Sequence, residues 1–194
     1  MFHKINMSKN TWEQFYIKRG RFYLESHEYI DKVIARFKSY NINLVLDLGC
    51  GSGRHCIKLA QNDFKVIGLD FSKTAIELAK KWADRENLKI KFIVGNFHKS
   101  LPFKKNIFSA IITIDTLHYE TVDDLKFTLK ECNRILRTGG IIFVTLPTQI
   151  GNPFVTHLIF TEDEIKDIIS KDFKILETMF DSKRFLCVFA IKNN

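Results

Sequence analysis

One ten-residue stretch, Val45-Leu46-Asp47-Leu48-Gly49-Cys50-Gly51-Ser52-Gly53-Arg54, limits what this chain can fold into more than any other. A short, mostly apolar run that ends in glycine reads as a buried parallel strand delivering the chain to a tight turn. Glycine at every second position removes side chains where the backbone bends, so that a ligand can touch the main chain directly. A helical pattern begins at Arg54. Its first N–H groups and the positive end of its dipole are expected to face that same spot.

Spacing separates the two cofactor classes that use such a turn. A dinucleotide fingerprint is G-x-G-x-x-G, and counted from Gly49 its third glycine would fall on Arg54. The pattern present is G-x-G-x-G. It resembles the first motif of the class I S-adenosylmethionine (SAM) methyltransferases, with a glycine turn that binds nothing as the plainer alternative. The resemblance extends over about Leu44 to Ile191. It implies an α/β fold: a doubly wound, Rossmann-like sheet of seven strands, five parallel and two in a C-terminal antiparallel β-hairpin, with helices on both faces. It also implies SAM as cofactor and S-adenosylhomocysteine (SAH) as product.

Further along, Phe64 to Leu69 reads as a second buried strand ending in Asp70-Phe71-Ser72. An acidic side chain at that strand tip can accept hydrogen bonds from both ribose hydroxyls, while Ser72 is better placed to cap the next helix. Phe71 is expected to lie against an adenine face. A third strand, Ile90 to Val94, leads to Gly95-Asn96-Phe97. Methyltransferases of this class usually carry Asp where Asn96 stands; the amide carbonyl of Asn96 keeps one acceptor for the adenine amino group. The fourth strand, Ile107 to Ile114, ends in Asp115-Thr116-Leu117-His118-Tyr119. On the resemblance, Asp47, Gly49, Cys50, Gly51, Gly53, Asp70, Phe71, Asn96, Phe97, Ile114 and Asp115 form the cofactor-binding set. Thr121 with Asp124, and Thr161 with Glu164, are read as capping boxes that open helices. Arg137-Thr138-Gly139-Gly140 is read as a helix stop before a fifth strand, Ile141 to Leu146. Phe173 to Phe180 and Phe185 to Ile191 are read as the closing hairpin.

The substrate should sit beyond the carboxyl ends of the strands. No Asn/Asp-Pro-Pro-Tyr/Phe sequence follows the fourth strand and no Pro-Cys pair occurs in the chain, which disfavours both base-directed methylation chemistries. Chain size and the Phe-Thr-Glu-Asp-Glu-Ile run at 160–165 resemble small-molecule methyltransferases of the tellurite-resistance type. His118 and His157 are the candidate general bases, in that order. The patternless segment from Pro147 to Phe160 reads as a loop that closes over the acceptor. Residues from about Thr11 to Phe37 look helical, with a second helix starting near Ser26. In the resembling family such N-terminal helices cover the cofactor, so Tyr16, Arg19, Arg21 and Phe22, together with Tyr119, are lid or substrate candidates. The domain reading is one methyltransferase domain over 1–194, with N-terminal helices in 1–40 and a SAM-binding core in 41–194.

Composition bounds the partners. A formal charge of +8 is compatible with a nucleic-acid partner such as tRNA, but the cations form no basic block, which favours a solvated surface and a small-molecule acceptor. A non-catalytic SAM-binding subunit is the remaining alternative. No run is long enough to span a membrane, and MFHKINMSKN carries no apolar signal segment, so a cytoplasmic location is expected. Cys50, Cys56, Cys132 and Cys187 show no paired metal spacing and are read as free thiols, with no metal site.

Overall fold

In the computed structural model, which describes residues 9–21, 24–117, 121–148 and 160–193, the strand before the glycines is β1 (Leu44–Leu48) and lies inside a seven-stranded sheet. Its side chains alternate between two apolar layers: Val45 faces one core cluster, Leu46 and Leu48 the other. β2 (Lys65–Asp70), β3 (Lys91–Val94), β4 (Phe108–Thr113) and β5 (Leu136–Pro147) run parallel to it. The sheet order is β3-β2-β1-β4-β5-β7-β6, with β6 (Phe173–Phe180) and β7 (Phe185–Lys192) as an antiparallel hairpin. The order reverses between β1 and β4, and ligands of open α/β sheets bind outside the strand ends at such a reversal.

Helices cover both faces. α2 (Ile30–Ser39), α3 (Arg54–Ala60) and α4 (Lys73–Arg85) contribute to the core layer that contains Val45. α5 (Val122–Ile135) and α6 (Glu162–Ser170) contribute to the layer that contains Leu46 and Leu48. Both capping boxes form: Thr121 accepts from the Asp124 N–H and Thr161 from the Glu164 N–H, and each acidic side chain returns a bond to its cap. The fold class expected from the sequence is the one observed.

Three local readings differ. The two N-terminal helices expected are present, α1 (Lys9–Arg19) and α2, but the second starts later than Ser26. Gly20 stops the first at φ 63 by donating to the Tyr16 carbonyl, and the second begins only after Tyr29, without a side-chain cap. Arg137 to Gly140 do not separate helix from strand, because β5 starts at Leu136, which pairs with Phe108 across an irregularity in the ladder. The long loop begins later than expected, since Pro147 still pairs with Phe185 and Thr148 bridges Phe160. Residues 149–159 lie outside the described residues.

Candidate functional site

All three glycines of the turn adopt positive φ: 76° at Gly49, 52° at Gly51 and 92° at Gly53. A Cβ at Gly51 would stand 2.4 Å from the Tyr16 hydroxyl, and one at Gly49 would stand 2.1 Å from the Thr116 methyl. Conformation and close approach therefore both require glycine at these two positions.

The turn is hooked onto the tip of β2. Gly49 and Cys50 N–H both donate to the Leu69 carbonyl, at 2.8 and 3.1 Å, and Gly53 N–H donates to Cys50. Gly51 N–H donates to Asp70 Oδ2 at 2.8 Å, while Asp70 Oδ1 accepts from Ser72 N–H at 2.9 Å. Ser72, not Asp70, caps α4, through a bond from Ala75 N–H. Four of the five N–H groups from Gly49 to Gly53 are thus consumed inside the protein. A turn in that state lacks the free donors that cradle a pyrophosphate.

The local charge also points away from phosphate. Asp47 is buried beneath the turn, where Cys56 Sγ donates to Oδ2 at 3.1 Å, and burial pushes its carboxyl up to about 7. Burial raises Asp70 to about 6 against the opposing N–H bonds from Ser72 and Gly51. With a value near 6, Asp70 stays mostly ionised at neutral pH and its charge attracts a cation and repels an anion, while Asp47 is about half protonated there. Cys50 is buried too, and its thiol is raised to about 11, which leaves it protonated and inert.

α1 lies across this corner. Glu13 accepts from the hydroxyls of Ser72 and Thr74, the latter at 2.6 Å, and these bonds outweigh its desolvation and lower its pKa. Tyr16 lies over Gly51, Arg19 stacks on Phe15 at 5.1 Å, and Arg21 stacks on Trp82 of α4 at 4.4 Å. Glu13 was not legible in the sequence, because its partners lie 59 and 61 residues away.

The opposite side is built by Asp115, which follows β4 at φ 55, a left-handed conformation that Asp, like Asn, adopts more readily than most non-glycine residues. Thr145 Oγ1 accepts from its N–H at 2.8 Å. Its Oδ2 accepts from Arg54 Nη2 at 2.8 Å and from Lys183 Nζ at 2.9 Å. Burial alone would raise this carboxyl, but Lys183 and Arg54 overcome it and hold Asp115 near 2. Its Oδ1 is buried and has no hydrogen-bond partner among the described residues.

Other sequence candidates are placed as follows. Ile114 is buried at the end of β4. Asn96 Oδ1 already accepts from His98 N–H at 3.0 Å, leaving one lone pair for a ligand. Phe71 packs half-buried against the core, and Phe97 is buried within it, its ring stacked on His98 at 4.9 Å. His118, Tyr119, His157 and Phe22 lie outside the described residues. His27, Asp181 and Cys187 bring three ligand-type atoms within 4.8 Å of one another. His27 Nε2 already shares a 3.1 Å hydrogen bond with Asp181, and burial raises the Cys187 thiol, so the trio is read as a structural bridge.

The family described as "Methyltransferase domain" matches residues 45–140. Ubiquinone biosynthesis O-methyltransferase of Pelagibacter ubique is 32% identical over 126 residues, covering 65% of this chain and 50% of that protein. Demethylmenaquinone methyltransferase of Lactococcus lactis is 40% identical over 100 residues, covering 50% of this chain and 38% of that one. The chain spans about half the length, or less, of the curated relatives it matches. Among solved structures, magnesium protoporphyrin IX methyltransferase from Synechocystis with bound SAM superposes at a TM-score of 0.75, with 17% identity and coverage of 98% and 95%. TehB from Haemophilus influenzae superposes at 0.73, with 20% identity and coverage of 94% and 67%.

Proposed function

Since this chain belongs to the class I SAM-dependent methyltransferases, we propose that it binds SAM at the glycine turn and carries its methyl group to a small-molecule acceptor. The observation that carries this reading is the turn itself: four of its five N–H groups are consumed internally, and buried carboxyl groups lie beneath and beside it. Such a site suits a cationic cofactor without a pyrophosphate. The residues present fit SAM, which supplies an electrophilic methyl group on a sulfonium.

Asp70 holds the ribose hydroxyls and the free lone pair of Asn96 takes the adenine amino group. Gly49, Gly51 and Gly53 let the ligand approach the main chain, beside Ile114. The orphan Oδ1 of Asp115 accepts from the cofactor's ammonium. In-line methyl transfer needs alignment and exclusion of water, and positioning of this kind is worth roughly 7–11 kcal/mol. α1, through Tyr16 and Arg19, forms the cover within a single domain, with α1 and α2 as its N-terminal helices. The reaction is placed in the cytoplasm, a reducing compartment that suits four free buried cysteines. Among the described residues no helix is long and apolar enough to cross a membrane.

Calorimetry tests the proposal: SAM and SAH bind with micromolar dissociation constants, about −8 kcal/mol, and NAD does not bind. Tight NAD binding, or no response to SAM and SAH, overturns it.

A further inference from the structure

Three elements distant in sequence bring charged side chains together where β4 ends. Asp115 Oδ2 is shared between Arg54, at the start of α3, and Lys183, in the turn of the β6–β7 hairpin. The Arg54 and Asp115 side chains are mostly buried, at 14% and 20% exposure, whereas Lys183 is 52% exposed. Lys183 therefore keeps ammonium donors directed to the open side, and the one carboxylate oxygen it touches is already shared.

The turn that carries Lys183 is held in place. Glu28 Oε1 accepts from Ser182 N–H at 2.7 Å, Asp181 Oδ1 accepts from Phe185 N–H at 2.8 Å, and Asp181 Oδ2 is bound to His27. An ordinary hairpin tip needs no such bracing from a segment 154 residues away. Bracing gives a flexible lysine a fixed base from which to present its charge. The hairpin also lies on the β5 side of β1, opposite to β2 and Asp70. A cofactor spanning Asp70 to the Asp115 Oδ1 leaves this side for the second substrate.

We propose that Lys183, backed by Arg54, is the acceptor-binding cation of this site, and that the acceptor is a small molecule whose nucleophilic atom arrives as an anion, such as a thiolate, phenolate or carboxylate. The proposal rests on the SAM reading above and names the substrate class for it. An anion seated on Lys183 offsets the repulsion between the cations and a neighbouring sulfonium. Its lone pair forms the bond to the methyl carbon while the carbon–sulfur bond breaks and its electron pair stays on sulfur. The acceptor and the sulfonium each lose one unit of charge and no proton moves, so no general base is required. The anion's charge disappears along this path. Lys183 consequently stabilises the bound acceptor more than the transition state, and acts in capture rather than in the chemical step.

Calorimetry on SAH-loaded protein tests the proposal with benzoate and thiophenolate against neutral benzamide and aniline. The anions bind at least tenfold more tightly than the neutral compounds. Lys183→Gln removes about tenfold of anion affinity, Lys183→Arg restores it, and both leave SAH affinity within twofold. Equal binding of neutral and anionic probes, or anion binding unaffected in Lys183→Gln, overturns the proposal. A tenfold loss of SAH affinity in Lys183→Gln also overturns it, because the lysine would then hold the cofactor's own carboxylate. Failure of the wild-type protein to bind SAH removes the SAM reading first, and this proposal with it.

Discussion

Asp70 holds the turn, and in the proposed SAM complex it also holds the ribose, while burial opposes both by raising its carboxyl to about 6. Asp70→Ala should weaken SAH binding at least tenfold in calorimetry, since two charge-assisted bonds are lost. It also strands the N–H groups of Gly51 and Ser72. That costs about 1–2 kcal/mol, a melting shift of roughly 2–8 °C. Unchanged affinity and melting temperature would mean that the carboxylate serves neither. Ligand hydroxyls bond more strongly to the ionised form, so SAH binding should release protons near pH 6 and weaken as pH falls below that value. Titrations in buffers of different ionisation enthalpy read this directly. Asp115 also loses its contribution in acid, but at lower pH and through stability rather than binding. Its folded pKa lies near 2, below the ordinary carboxyl value of 3.8, so its contribution is full above about pH 4 and is lost as pH falls toward 2. The glycine spacing and Asp70 were legible because each is fixed by its neighbours in sequence. Glu13, Arg54 and Lys183 were not, because their roles exist only through partners 59 to 68 residues away.

At the scale of elements, α1 is the part whose position depends most on polar contacts. Glu13 ties it to Ser72 and Thr74 at the start of α4, Tyr16 lies over the glycine turn, and Arg21 just beyond it stacks on Trp82, while none of its described residues belongs to either core cluster. Glu13→Gln weakens the charge-assisted bonds to Ser72 and Thr74 without removing side-chain volume. Amide exchange in 9–19 should then accelerate about tenfold while α4 stays protected, because α4 keeps its Ser72 cap. Equal exchange in both proteins would show that aromatic packing alone holds α1. Capping boxes were readable because they are local: Thr121→Ala or Thr161→Ala should each cost about 1 kcal/mol in urea unfolding. The glycine pair 139–140 misled for a tertiary reason. Gly139 does take positive φ, but pairing of Leu136 with Phe108 draws the chain into the sheet before the glycines are reached.

Across the whole molecule, the segment after α1 fastens the first part of the chain to the last hairpin. His27 meets Asp181 in the interior, His27 N–H donates to His55, and the Tyr29 hydroxyl donates to the Phe180 carbonyl at 2.7 Å. Asp181→Ala leaves His27 and Phe185 N–H without their buried acceptor and should cost about 3 kcal/mol, a melting shift of roughly 6–12 °C. A shift under 2 °C would show that the bridge is dispensable. Alternation and glycine positions made the parallel half of the sheet legible, and the resemblance supplied the hairpin, but no local pattern pairs position 27 with 181. The sheet order has a further consequence for how the chain is made. β7 is synthesised after β6, yet it lies between β5 and β6. Until it emerges from the ribosome, the apolar edge of β5, Ile141 to Leu146, has no partner on that side. Lys183 stays apart from Asp115 for as long as the hairpin is unformed. A nascent chain lacking 185–192 should therefore recruit chaperones and aggregate when released.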